Sequence, residues 1–178
     1  MPSESPAEYR LNTGARVALE TALQVHELIY ESCLLLNAEQ WDDYLNLCDP
    51  QEFRYRITNY SPEMRKEQYW MDRDHAGLKQ LVGLLPKHNS DHSQLTRHAV
   101  VYKVQQEGPS VLSAVTSLTL YKTQLDGVNS HFESGRTELF AVGTYLDRIC
   151  VAGAVPRLLG RTVRLDTRQL GIGSHYLF

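Results

Sequence analysis

Residues 96–124 read TRHAVVYKVQQEGPSVLSAVTSLTLYKTQ, and this stretch decides the fold. Both of its arms alternate with the period of two that sends successive side chains to opposite faces of a strand. Gly108-Pro109 between them is a turn signal too short for a crossover, so the arms run antiparallel. In the second arm Leu112, Ala114, Leu118 and Leu120 share one face, and Ser113, Ser117, Thr119 and Tyr121 form a smaller, more polar series on the other. One face is therefore core, and the other is wet or covered by a partner.

Downstream the same period continues through HFESGRTELFAVGTYLDRI (131–149) and VPRLLGRTVRLDT (155–167). Asp126-Gly127 and the VAGA stretch at 151–154 supply the turns. In the last strand Leu159, Val163 and Leu165 interleave with Thr162, Arg164 and Asp166. Upstream, the spacing changes to three and four. Val17, Leu19, Leu23, His26, Ile29 or Tyr30, Cys33 and Leu36 predict a long amphipathic helix over about 14–36. Asn37 is expected to cap a second, short helix with Trp41, Tyr44, Leu45 and Leu47 on its apolar face, stopped by Asp49-Pro50. FRYRIT (53–58) reads as a strand, followed by a loop through Ser61-Pro62. Asp72 or Asp74 would cap a third helix carrying Leu78, Leu81, Val82 and Leu85, with Pro86 ending it. Three helices and then a four-strand meander give an α+β layout with the helices on one face of the sheet. Sheets of this length curl, and a helix-backed, curled antiparallel sheet makes a cone with a pocket.

At 178 residues the chain fits one domain, expected to span 13–178 behind a flexible arm at 1–12. Folding would hide about 70% of the unfolded chain's surface, enough for a core without disulfides or metal. A net charge of −3 leaves no basic excess to neutralise phosphates, which argues against nucleic acid. No signal peptide and no run of about 18 apolar residues is present, so we expect a cytoplasmic chain with no membrane span. Cys33, Cys48 and Cys150 are odd in number and far apart, as expected of reduced thiols.

A search for chemistry yields few candidates. In LPKHNSDHSQLTRH (85–98), His88, Asp91 and His92 could be imagined as a metal triad. But Pro86 and Asn89-Ser90 point to a loop, and no glutamate follows His88 as in a zinc-peptidase motif. The reading favoured there is a polar or partner-facing loop. His98, beside Arg97 at the start of a strand, fits a satisfied structural histidine. Asp72, Asp74 and His75 could do general acid–base work in a cone pocket, as in a dehydratase or isomerase, though acids there also suit a helix start. No G-x-S-x-G, G-x-G-x-x-G or C-x-x-C occurs, and GIGSH (171–175) lacks a strand–helix context. Arg157 and Arg161 share one face of the last strand, Arg164 and Arg168 the other; they mark either a solvated edge or a docking surface. The tail SHYLF, with Tyr176 and Phe178, makes sense if tucked against something. A catalytic cone would bring a histidine and a carboxylate together at its bottom. A structural one would be filled with tyrosine and leucine.

The strands in order carry a resemblance. The long helix, WDDYLNLCDPQEFRYRI, TRHAVVYKV, SLTLYKTQLDG, LFAVGTYLDRI and GRTVRLDT resemble the small (beta) subunit of Rieske-type ring-hydroxylating oxygenases from about residue 15 onward. Trp41, Asp43, Tyr44, Arg97, His98, Val100, Ser117, Tyr121, Lys122, Thr123, Gly143, Asp147, Arg164, Leu165 and Asp166 stand at positions equivalent to that family's short motifs. LPKHNSDHSQLTRH with ELFAVGTYLDRI is similar to the members that oxidise methanesulfonate. One departure is Pro156-Arg157, where ring-hydroxylating members usually have Trp-Arg; it weakens the inference to an aromatic substrate. The resemblance implies an NTF2-like cone, as in nuclear transport factor 2 and ketosteroid isomerase, with no cofactor or catalytic residue in this chain. It implies a large (alpha) subunit carrying the [2Fe–2S] Rieske cluster and the non-haem iron, and an α3β3 assembly in which copies of this chain also meet. His88, His92, Arg97, Arg157, Arg161, Arg164, Arg168, Tyr176 and Phe178 are then the candidate subunit contacts.

Overall fold

The computed structural model describes residues 17–88, 93–125, 134–169 and 177–178. The expected arm over 1–12, His92 and Tyr176 lie outside the described residues. Helix α1 (Leu19–Asn37) is followed by α2 (Trp41–Asn46), β1 (Arg54–Ser61), β2 (Lys66–Asp74), α3 (His75–His88), β3 (Gln94–Gln106), β4 (Val111–Thr123), β5 (Thr137–Cys150) and β6 (Arg157–Leu165). The strands form one sheet in the order β2-β1-β6-β5-β4-β3. Pairs β3–β4, β4–β5 and β5–β6 are antiparallel, as the short β3–β4 and β5–β6 connections require. The curled sheet with its helices is the expected NTF2-like α+β cone.

Four expectations are corrected. The chain over 66–74 is a strand, not a loop leading to a helix. KEQYWMDRD has no clean alternation because β2 is an edge strand bonded only to β1. The sequence signal was weak for that physical reason: neither face is fully buried. Second, β6 is not an edge. It pairs in parallel with β1, so the last strand is roofed on both sides and sits near the middle of the sheet. Third, Asn37 ends α1 rather than capping α2. Its Oδ1 instead accepts hydrogen bonds from the backbone N–H and Nη1 of Arg97 at 3.0 and 2.9 Å. Fourth, α3 runs two residues beyond Pro86, which takes a place in the last turn.

The helix faces follow from spacing. In α1 Val25, Leu28, Ile29, Ser32, Cys33 and Leu36 are buried at three- and four-residue steps, while Leu19 and Leu23, expected inside, are exposed. Asp74 does cap α3: its Oδ1 accepts the Gly77 N–H at 2.8 Å. Leu78, Val82 and Leu85 then turn inward. On β4 Leu112, Ala114, Thr116, Leu118 and Leu120 are all buried, the face read from the sequence.

The curl needs one glycine. A Cβ on Gly143 would stand 2.4 Å from the Arg164 carbonyl oxygen and 3.1 Å from Leu165 Cα, because β6 presses directly onto β5 there. Beyond that point Asp166 N–H still bonds the Val142 carbonyl at 2.9 Å, and Thr167 Oγ1 accepts the Val142 N–H at 2.9 Å, so the strand end cannot back away freely. Gly143→Ala should therefore cost about 2–3 kcal/mol by overpacking against backbone. Urea unfolding monitored by circular dichroism measures it, and an unchanged midpoint would show that β6 can shift.

Candidate functional site

The core-facing row Tyr55–Arg161–Asp147 crosses three neighbouring strands: Tyr55 pairs with Arg161 in the β1–β6 register and Arg161 with Asp147 in the β5–β6 register. Arg161 Nε donates to Asp147 Oδ1 at 2.8 Å and Nη2 to Oδ2 at 2.9 Å, a bidentate pair with both side chains 0% exposed. The guanidinium carbon lies 4.1 Å from the centre of the Tyr145 ring. Thr116 stands opposite Tyr145 on β4 and is equally buried. Tyr44 enters from α2 and Cys33 from α1. Four of these polar atoms, Arg161 Nη1, Tyr44 Oη, Tyr145 Oη and Thr116 Oγ1, are buried with no hydrogen-bond partner among the described residues.

The electrostatics of this interior suit a scaffold better than a catalyst. Burial works against the Arg161 charge, but the Asp147 carboxylate, with Tyr44 and Tyr145 beside it, outweighs that and holds the pKa well above the ordinary arginine value. Burial pushes the phenols up: Tyr55 to about 12, Tyr44 and Tyr145 further. Burial likewise raises the Cys33 thiol and pushes Cys48 up to about 12. None of these groups can serve as a base or thiolate nucleophile near neutral pH. Asp147 is already held through both oxygens by Arg161.

The residues proposed for acid–base work do not meet. Asp72, on β2, pairs with Arg54 at 2.5 Å and Arg56 at 3.4 Å, and the Arg54 hydrogen bond holds its pKa below the usual carboxylate range. Asp74 is spent on the α3 cap. His75 Nε2 lies 3.2 Å from the Leu45 carbonyl oxygen. His98 faces outward on β3, edge-on to Tyr121 at 5.2 Å between ring centres. Among the described residues no group of three or more His, Cys, Asp or Glu side chains could hold a metal ion.

The candidate contact residues divide. Arg157 and Arg168 are exposed and Arg164 is half-buried; Arg168 Nη1 is paired with Glu63 at 2.7 and 2.8 Å. His88 closes α3, and nothing of its side chain is described. Three expected contacts are interior instead. Arg161 has no exposed surface at all, Arg97 is buried against Asn37 and the Leu177 carbonyl, and Phe178 is buried against Phe140. The parity of β6 carried the signal for Arg161: it shares its phase with Val163 and Leu165, and an arginine there is inside whatever its polarity.

No family model matches the chain. Two relatives match nearly all of it. The methanesulfonate monooxygenase hydroxylase subunit beta of Methylosulfonomonas methylovora is 37% identical over 161 residues, covering 89% of this chain and 88% of that protein. The 2-aminobenzenesulfonate 2,3-dioxygenase subunit beta of an Alcaligenes species is 31% identical over 153 residues, covering 86% and 96%. Among solved structures, a protein of Novosphingobium aromaticivorans described as the beta subunit of an aromatic-ring-hydroxylating dioxygenase superposes with a TM-score of 0.71 at 19% identity, over 86% of this chain and 95% of that one. Naphthalene 1,2-dioxygenase superposes with a TM-score of 0.59 at 16% identity, over 84% and 82%. The two relatives above 30% identity place the chain among oxygenase beta subunits. It belongs to the family of small (beta) subunits of Rieske-type ring-hydroxylating oxygenases.

Two outcomes follow from the interior. Asp147→Asn or Arg161→Leu alone should cost about 3–5 kcal/mol by stranding a buried charge, whereas Asp147→Leu together with Arg161→Met should recover most of it. Unfolding curves of the three variants decide this, and a double variant as weak as the singles would give the pair a role beyond charge balance. Iodoacetamide at neutral pH, followed by mass spectrometry, should leave Cys33 and Cys48 unmodified in the folded protein and label them once it is unfolded. Labelling of Cys48 at the rate of a free thiol would contradict its burial.

Proposed function

We propose that this chain is the non-catalytic structural subunit of a multicomponent Rieske non-haem iron oxygenase, and that the assembled enzyme hydroxylates a small organic sulfonate, methanesulfonate foremost, with O2 and electrons drawn from NADH. The observation that carries the proposal is the match to two sulfonate-oxygenase beta subunits at 37% and 31% identity over nearly the whole chain. Pro156-Arg157, in place of the Trp-Arg of ring-hydroxylating members, favours the alkanesulfonate over an aromatic substrate. In keeping with that reading, both iron centres are placed on a large alpha subunit, and no step of the oxidation is assigned to this chain.

Its own task is mechanical. A cone filled by Tyr44, Tyr55, Tyr145, Leu112, Leu118 and Leu120 around a locked ion pair is a stiff block that large subunits can rest on. Val100 and Tyr102, 54% and 71% exposed on one face of β3, supply apolar surface of the kind that interfaces cover. We assign contacts with the alpha subunit and with other copies, in an α3β3 hexamer, to His88, His92, Arg157, Arg164, Arg168 and Tyr176. The unit that folds is taken as 13–178 behind the arm at 1–12, and its unpaired Cys33, Cys48 and Cys150 suit the cytoplasm.

Co-expression with the neighbouring large-subunit gene, with a tag on this chain, tests the reading. Elution of a brown complex of α3β3 mass by light scattering, oxidising methanesulfonate, is expected, with this chain colourless and inactive when made alone. A colourless, unaccompanied chain that dehydrates or isomerises a hydroxylated substrate would overturn it and return attention to Asp74 and His75.

A further inference from the structure

Four large side chains of α1 stand in solvent: Leu19, Leu23, Tyr30 and Leu34 are 77%, 52%, 40% and 67% exposed. With His26 they follow one another at steps of four, three, four and four residues, close to the spacing of a coiled-coil seam, and form one stripe about 22 Å long. Within it the His26 and Tyr30 rings lie edge to face, with centres 6.0 Å apart. Single exposed leucines are ordinary; a row of them in phase along one helix marks a contact surface. The charges beside the stripe are all of one sign. One residue after each of its first four members, about 100° round the helix, runs the exposed row Glu20, Gln24, Glu27 and Glu31. Buried Val25, Ile29 and Cys33 border the other side, so an incoming helix meets charge only along the glutamate row. Helix α1 contains no lysine or arginine. A second copy of α1 would set glutamates against glutamates, and an anionic lipid surface would be repelled. A helix with an apolar stripe and a lysine or arginine row is complementary on both counts.

We propose that α1 is the docking surface for a basic amphipathic helix of the large alpha subunit, packed along Leu19, Leu23, Tyr30 and Leu34 with its cations against Glu20, Glu27 and Glu31. None of the contacts assigned above involves α1. The choice of the large subunit as source rests on the function proposed above, whereas the chemistry of the docking helix rests on the stripe and its acidic border alone. A permanent partner suits this surface better than a passing one, because lasting interfaces are the more hydrophobic and brief encounters are small and polar.

The test has two arms. In the complex, with this chain tagged and co-expressed with the large subunit, Leu23→Ser with Leu34→Ser should cut recovery of the large subunit at least tenfold, and so, separately, should Glu27→Lys with Glu31→Lys. Neither pair should lower the Tm of this chain made alone, because all four side chains are exposed. Alone, the chain should bind a three-heptad helical peptide with leucine at a and d and lysine at e and g at least tenfold more tightly than the same peptide with glutamate at e and g. Both double variants should lose that preference. Full recovery of the large subunit with both double variants overturns the proposal, and so does a wild type indifferent to the sign of the peptide. If no large subunit accompanies even the wild type, the subunit reading fails and the source named here with it, while the peptide arm still decides whether α1 takes a basic helix. An oligomer of this chain alone that Leu23→Ser with Leu34→Ser dissociates would make a second copy the occupant. Peptide binding gained only on deletion of residues 1–16 would make it this chain's own N-terminal segment, and flotation of the wild type with phosphatidylglycerol vesicles would make it a lipid surface. Each of these three results overturns the proposal.

Discussion

The bidentate pair of Arg161 and Asp147 is the constraint on which the rest of this interior depends. Two opposite charges with no contact with water are tolerable only if each is met by the other in good geometry, so β5 and β6 have little freedom to slip against each other. A shift by one residue would turn both charges out of register and carry Tyr145, Val163 and Leu165 to the wrong face. The ring of Tyr145 under the guanidinium and the row through Tyr55 extend that fixed register to β1, and Thr116 continues it on β4. Gly143 then allows the last strand to close onto its neighbour at Arg164 and Leu165.

An interior built in this way cannot readily do chemistry. A general base or thiolate nucleophile on a cone fold must be able to ionise near neutral pH. Here the phenols and thiols are pushed up by burial, and the one carboxylate in the central row is bound through both oxygens. What remains is rigidity, and rigidity is what a supporting subunit contributes to an assembly whose reactive centres lie in another chain.

Much of this was legible in the sequence because β4, β5 and most of β6 follow a period of two, and that period determines the strand faces. The missing strand, β2, was illegible because an edge strand with no fully buried face has no alternation to read. The parallel β1–β6 pairing was illegible because long-range adjacency leaves no local trace. Arg161 is a different kind of miss. Its phase with Val163 and Leu165 said inside, and the ordinary habit of arginine said outside; the strand's period prevailed because Asp147 stands opposite to receive it. Arg97 and Phe178 were misplaced for a related reason, since each is held by a residue remote in sequence, Asn37 in one case and Tyr55 in the other.

The parallel seam between β1 and β6 has a consequence for how the chain comes off the ribosome. Arg54 waits for Gly160, so the β1–β2 hairpin emerges early and stays open along one side until nearly all of the remaining chain has been made. During that interval the unsatisfied backbone donors and acceptors along β1 are free to pair with any other extended segment nearby. Such a topology closes late and all at once. Nascent copies crowded on one message would therefore be at risk of joining edge to edge before each has completed its own sheet.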